Sequence, residues 1–277
     1  MEVDFADYLK INAQKIDLEL DRLLALFLAE AEKISPKLSP KVCAFIDSCK
    51  GGKRIRGVLC KLGYELASSK FKVQSSKWDK EILKIAAALE IMHAAILVHD
   101  DIIDKSPFRR GKPSLYIKVG VDQAITLGDL GFFVSLQIIS QTSFSEREKN
   151  QALSLFSKVM IDTAIGQSLD IIKDAPITVA RLKTAQYTIS GPLRLGAILG
   201  GAEGKLLKEL DAFGENLGIA FQIKDDILDG EVSLEEAGPQ VLEYTDKAKK
   251  IIPRITEDSK MRQLLEDMCE YLVERSK

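Results

Sequence analysis

Two aspartate clusters, Asp100-Asp101-Ile102-Ile103-Asp104 and Asp225-Asp226-Ile227-Leu228-Asp229, repeat one DDxxD spacing on two long apolar segments. On a helix the first and last carboxylates of each cluster stand four residues apart on one face, and the second sits one step round. If the two patches face each other, up to six carboxylates converge. Each like-charged pair about 4 Å apart then repels by roughly 4 kcal/mol at an effective dielectric near 20. Such a group calls for cations. Carboxylate-only ligation suits a hard ion, and Mg²⁺ takes one or two carboxylates and fills its shell with water and substrate phosphate oxygens. One isolated DDxxD reads more readily as a solvated helix end. Duplication shifts the balance toward a metal–diphosphate site, because both copies follow apolar runs, Ile91 to Val98 and Leu217 to Ile223, where unpaired charge is not expected.

A diphosphate also needs positive groups. Gly51-Gly52-Lys53-Arg54-Ile55-Arg56-Gly57 puts a dense basic group at the start of a helix, where free backbone N–H groups and the helix dipole favour an anion. A solvated helix start explains that stretch about as well when it is taken alone. Arg109-Arg110 supplies a second basic group, whose guanidinium forks match phosphate oxygens in a bidentate way.

The elements that must position these residues read as helices. Apolar residues recur at three- and four-residue spacing almost throughout, with few alternating β-branched runs. The spacing predicts helices over 3–34, 40–49, 53–69, 78–104, 121–140, 146–174, 178–203, 206–229, 232–250 and 258–275. Ser35-Pro36 and Ser39-Pro40 read as an N-cap followed by Pro at N1, Gly51-Gly52 as a turn, and Ser145 with Glu148 as a capping box. Pro192 should kink the 178–203 helix. The segment 105–120 reads as a polar, basic, functional loop. With no linker and no internal duplication visible, the expectation is one all-α domain over 1–277, about ten helices around a central cavity.

Composition narrows the classes. A formal charge of -2 and a pI near 5.9 give no nucleic-acid signature. Cys43, Cys49, Cys60 and Cys269 lack CxxC spacing and neighbouring histidines, so neither zinc nor a disulfide framework is expected and a reducing cytosol fits best. Met1 to Lys10 is acidic and mixed rather than signal-like. The most membrane-like stretch, Ile85 to Val98, reads as too short to span and carries Glu90 and His93, so no transmembrane segment is expected.

From about residue 45 to 230 the chain resembles the trans-isoprenyl diphosphate synthases, the polyprenyl synthetase family. The resemblance rests on Gly51-Gly52-Lys53-Arg54-Ile55-Arg56, His93, His99-Asp100-Asp101-Ile102-Ile103-Asp104, Arg109-Arg110-Gly111-Lys112-Pro113 and Gly128-Asp129. It continues through Gly166-Gln167-Ser168-Leu169-Asp170, Lys183-Thr184 and Phe221-Gln222-Ile223-Lys224-Asp225-Asp226-Ile227-Leu228-Asp229. It implies a magnesium-dependent prenyltransferase that joins isopentenyl diphosphate to an allylic prenyl diphosphate. By the same resemblance Lys53, Arg56, His93 and Arg110 hold isopentenyl diphosphate. Arg109, Lys183, Thr184 and Gln222 contact the allylic diphosphate, and Gln167 and Asp170 line the same cavity. Three Mg²⁺ would tie that diphosphate to Asp100, Asp101, Asp104, Asp225, Asp226 and Asp229. A cytoplasmic homodimer is implied, with a heteromer open.

Chain length should be set below the first cluster. Ile96 and Met92 lie on the face of Asp100, at depths of roughly 6 and 12 Å for a rise of about 1.5 Å per residue. In the family an aromatic residue five positions before the cluster shortens the product. Here Ala95 stands there, which implies a product of C20 or longer. Phe132 and Phe133 read as ordinary core packing, or as a deeper floor. One departure stands out: after Asp229 the family's lysine-bearing lid loop and one helix are replaced by Gly230-Glu231-Val232-Ser233-Leu234. Two other readings stay open, a class I terpene cyclase and a non-catalytic subunit that regulates an active partner.

Overall fold

The computed structural model describes residues 4–71 and 76–274, so residues 3 and 275 of the expected first and last helices lie outside the described residues. In chain order the helices are α1 Phe5–Ile34, α2 Ser39–Cys49, α3 Ile55–Phe71, α4 Ser76–Ile103, α5 Leu115–Val119, α6 Val121–Ser140 and α7 Glu146–Ile171. They continue as α8 Pro176–Val179, α9 Gly191–Leu199, α10 Lys205–Asp229, α11 Leu234–Lys249, α12 Ile252–Ile255 and α13 Ser259–Glu274. Two strands, β1 Phe108–Arg109 and β2 Lys112–Pro113, form one antiparallel hairpin. The all-helical expectation therefore holds, and periodicity explains it. In α1, for example, Phe5, Leu9, Ile16, Leu20 and Leu24 fall on one stripe and are at most 5% exposed.

Contacts group the chain into two compact units. The first holds the start of α1 to Ile11, Val58–Ile82 and everything from Phe144 onward. In it, the helices approach closely through glycine. A Cβ on Gly63 would lie 1.9 Å from the carbonyl oxygen of Leu193, and one on Gly196 would lie 1.7 Å from that of Cys60, so α3 and α9 touch backbone to backbone. The ring of Phe5 meets Tyr271 of α13 edge-on at 5.5 Å, and Tyr8 donates to Glu65 of α3 at 2.5 Å.

Between α8 and α9 the expected kinked α-helix over 178–203 is replaced by a π-helical segment, Ala180–Ser190, followed by an α-helical one. Pro192 has no N–H to donate into the preceding turn. The Gly191 N–H instead reaches Gln186 O, five residues back, and a Cβ on Gly191 would sit 2.5 Å from that oxygen. The wide winding is accommodated by α10, where Gly218 and Gly214 leave room for Ala185 and Ser190.

The second unit holds Asn12–Gly57 and Leu83–Ser143. Its central helix is α4, buried on nearly all sides through Ala86, Ala87, Ala88, Ile91, Ala94 and Ala95. The expectation that this stretch is too short to span a membrane needs correction: by length and composition both Lys77–Ile103 and Val121–Ser140 are long and apolar enough. In the first, 67% of the most apolar window is buried within the protein; in α6 only 33% is. The 105–120 segment is not a plain loop, since it contains the hairpin and α5. The Ser39 cap is also corrected. Ser39 is already helical, with φ -50°, and its hydroxyl donates to Glu32 instead. Ser145 and Glu148 do form the capping box, and Gly51 and Gly52 take φ +77° and +95° as a turn requires.

Candidate active site

In the second unit α4 ends at Ile103, so Asp100 and Asp101 occupy its last turn, and Asp104 lies just beyond, its N–H donating to Asp100 O at 2.8 Å. A helix C-terminus already carries partial negative charge, and neither α4 nor α10 has a basic residue in its last turn. Three carboxylates there are doubly unfavourable without a cation. Part of the compensation is visible. The two-residue turn Arg110-Gly111, both at positive φ, folds β1 against β2 as a type I′ hairpin does. That turn carries Arg109 back onto the helix end, where its Nε and Nη2 donate to one oxygen of Asp101 at 2.9 and 2.6 Å.

Arg110 reaches the other basic group. Its Nη1 donates to the carbonyls of Lys50 and Gly51 at 3.0 and 2.9 Å, and its guanidinium packs on Gly52 so closely that a Cβ there would be 2.7 Å from Nη2. Asp101, Arg109 and Arg110 line a cavity of about 200 Å³ together with Lys50, Lys112 and Lys118. Lys53, Arg56 and His93 are not among its lining residues.

Burial, and then the charges of Arg56, Arg110, Arg109 and Arg54, hold His93 well below the usual histidine range. It is therefore a neutral ring at pH 7, a hydrogen-bonding group rather than a fixed cation. The unfolded chain takes up that proton first as pH falls. Stability tied to His93 is complete above about pH 6.5 and is lost as pH drops through its lower folded midpoint. An NMR titration should place the His93 midpoint clearly under 6.5, and His93→Gln should flatten the acid limb of stability. A midpoint at or above 6.5 would contradict the electrostatics.

In the first unit the second cluster is the last turn of α10. Gln222, one turn before Asp226, donates from Nε2 to Asp226 Oδ1 at 2.6 Å and accepts from the Thr184 hydroxyl of the π-helical segment. Thr184 thus orients Asp226 through Gln222. Burial raises Asp226 above the usual carboxylate range; the Gln222 hydrogen bond opposes this, and Asp225, Asp229 and Asp170 add to the rise. Lys183 pairs with Asp170 at 2.6 Å. Gln167, one turn before Asp170 on α7, has a buried side-chain oxygen with no hydrogen-bond partner. Gly230 caps α10 in the left-handed conformation and Ser233 opens α11, so only four residues join the two helices.

Among the described residues no three acidic, histidine or cysteine side chains form a ready-made metal cage. The donor set nevertheless fits magnesium: hard carboxylate oxygens at negative helix ends, and an unsatisfied amide oxygen at Gln167, suit an ion that completes its shell with water and phosphate.

Below the first cluster, Ala95 and Met92 are 0% and 2% exposed, whereas Ile96 is half-buried. Ala95 faces α6, where a Cβ on Gly131 would meet it at 2.9 Å and Phe45 at 2.6 Å. Phe132 stacks on His99 at 5.2 Å, whereas Phe133, expected in the core or at a floor, is 69% exposed. The sequence placed Arg54 only within the basic group and gave Glu90 no part in the site, yet both are 4% exposed and lie at that basic turn. The signal was present as two charged residues inside apolar or motif-bearing stretches, positions where burial demands a partner.

The polyprenyl synthetase family profile matches residues 42–270. The chain is 27% identical over 236 residues to a geranylgeranyl diphosphate synthase of Methanosarcina mazei, covering 83% of this chain and 68% of that protein. It is 35% identical over 198 residues to heptaprenyl diphosphate synthase component 2 of Geobacillus stearothermophilus, covering 68% of this chain and 57% of that one. A solved geranylgeranyl pyrophosphate synthase from Corynebacterium glutamicum, complexed with isoprenyl diphosphate and magnesium, superposes with a TM-score of 0.83 at 21% identity. That match covers 99% of this chain and 100% of that chain.

Proposed function

The chain belongs to the polyprenyl synthetase family, and from that premise we propose that it condenses isopentenyl diphosphate with an allylic prenyl diphosphate to give an all-trans product of C20 or longer. The observation that carries this reading is the coupling of each aspartate cluster to a phosphate-type partner on the same unit: Asp101 with Arg109, and Asp226 with Gln222 and Thr184. Bound Mg²⁺, up to three ions on the two clusters, would lend positive charge to the departing diphosphate.

The protein's own groups do the rest. Arg109 exchanges Asp101 for a diphosphate oxygen, Lys183 likewise leaves Asp170 for one, and such charges favour cleavage of the allylic C–O bond. Lys53, Arg56, His93 and Arg110 hold isopentenyl diphosphate. Its double bond attacks C1 of the allylic cation, the new carbon–carbon bond leaves a tertiary cation, and loss of a C2 proton to the released diphosphate restores the alkene. Apolar walls exclude water from the cation. We assign the protein to the cytosol, consistent with four free thiols. A homodimer would cover the exposed Val121, Ile125 and Phe133 of α6.

The test is incubation of the protein with Mg²⁺, isopentenyl diphosphate and farnesyl diphosphate, with chromatography of the products. Elongation is expected. No elongation, alone or with an added partner subunit, would remove the reading, and a cyclic hydrocarbon would replace it with a cyclase. Resemblance to a protein named as a component keeps the partner arm necessary. In the same assay Ile96→Phe should shorten the product. Ala95→Phe, which must displace Gly131 or Phe45, should lose stability.

A further inference from the structure

Three residues of the basic turn serve no ligand in the mechanism, yet their backbone is tightly constrained. Gly51, Gly52 and Arg54 all take positive φ, at +77°, +95° and +56°. For glycine this costs little, but for arginine it is strained and persists only where surrounding contacts impose it. Those contacts are present. Arg54 is 4% exposed while Lys53 beside it is exposed, so the turn sends one side chain inward and its neighbour outward. The Arg54 Nε donates to Asp17 of α1 at 2.7 Å and its Nη1 to the carbonyl of Cys49 at the end of α2 at 2.9 Å.

The same Nη1 lies 3.7 Å from Glu90 of α4, itself 4% exposed. The other Glu90 oxygen accepts from the Gly57 N–H at 2.9 Å, satisfying a donor of the first turn of α3 that would otherwise lack a partner inside the helix. A Cβ on Gly57 would stand 2.9 Å from Ala86 O, so α3 begins in direct contact with α4. Glu90 is one turn from His93 on α4, and Arg110 is tied to the same turn through the Lys50 and Gly51 carbonyls.

We infer that Arg54 and Glu90 are positioning residues: their buried ion pair fixes the turn bearing Lys53 and Arg56 against the helical turn bearing His93, and so sets the spacing of the isopentenyl diphosphate ligands. This rests on the function proposed above, and a residue with a merely packing role would not distinguish one substrate from the other. Removing Arg54 alone would leave the buried Glu90 without its countercharge, whereas Arg54 keeps Asp17 when Glu90 is lost, so the single Arg54 variant carries a folding risk. The test therefore uses the charge-free pair Arg54→Met/Glu90→Leu beside Asp17→Asn, with thermal midpoint, direct binding of isopentenyl diphosphate, and KM for each substrate.

The double variant is expected to stay folded, with KM and Kd for isopentenyl diphosphate raised at least tenfold and KM for the allylic substrate within twofold of the native value. Asp17→Asn, which keeps a hydrogen-bond acceptor, should retain near-native values. Equal losses for both substrates, or native affinity in a folded double variant, would overturn the positioning role alone. If the double variant does not fold, the decision passes to Glu90→Gln, whose native affinity would overturn the role and whose selective loss would support it. A native protein that binds no isopentenyl diphosphate would overturn this inference together with the proposed function.

Discussion

Alanine in place of Asp100 or of Asp225 is expected to lower turnover by about 10²–10³-fold, the usual cost of deleting one group that stabilises transition-state charge. Folding should be nearly untouched, because each residue sits in the last turn of its helix, on a partly exposed face, where like charges already repel. Asp101 should behave differently. It is 4% exposed and accepts both donors of Arg109, so Asp101→Ala would lose turnover and also release the hairpin that carries Arg109 and Arg110. Steady-state rates with Mg²⁺ and thermal melts of the three variants separate the two outcomes. Near-native turnover in both Asp100→Ala and Asp225→Ala would mean that the clusters do not act on a diphosphate.

The largest loss of stability is expected at Gly63→Ala and Gly196→Ala. Each added methyl would fall within 2 Å of a backbone carbonyl oxygen, of Leu193 and Cys60 respectively, and no rotamer change can relieve a backbone clash. The α3 and α9 helices must separate, at a cost at or above the roughly 3 kcal/mol upper end of ordinary overpacking. Gly120→Ala is the informative control. It has φ +87° but nothing within 4 Å of the added atom, so its cost should stay near the 1–3 kcal/mol of backbone strain alone. Denaturant unfolding of the three proteins orders these effects; equal losses would mean that the helices are not in backbone contact.

Much of this architecture was legible from residue spacing. The long helices announce themselves because each buries an apolar stripe, and Val121–Ser140 matches its expected bounds at both ends. The π-helical segment was not legible, since it depends on how α10 offers Gly214 and Gly218 to it, a relation between distant residues. Nor was the hairpin inside 105–120: Arg110-Gly111 is not among the strongest turn pairs, and the pull on Arg109 comes from Asp101 eight residues earlier.

At the candidate site the ligand-type residues could be named by motif, because charge at fixed spacing is visible in one dimension. Their supports could not. Glu90 looks like an isolated charge in an apolar run, and only the fold brings Arg54 and the Gly57 N–H to it. Ala95 was legible as small but not as sealed, since its neighbour Gly131 lies 36 residues on (131 minus 95).

The seat of Arg110 on Gly52 bears on how this sequence can change over generations. A side chain at Gly52 meets its main obstacle in a φ of +95°, and a second, softer one in the flexible guanidinium end of Arg110, whose nitrogen lies 2.7 Å from the new atom and can shift. Shortening Arg110 would clear the second obstacle, but it would also delete a proposed substrate ligand and leave the first in place. The backbone at Gly52 therefore resists change whatever happens at Arg110, so drift should run around this turn and collect on faces such as Leu234 and Leu242, where side chains are 65% and 67% exposed.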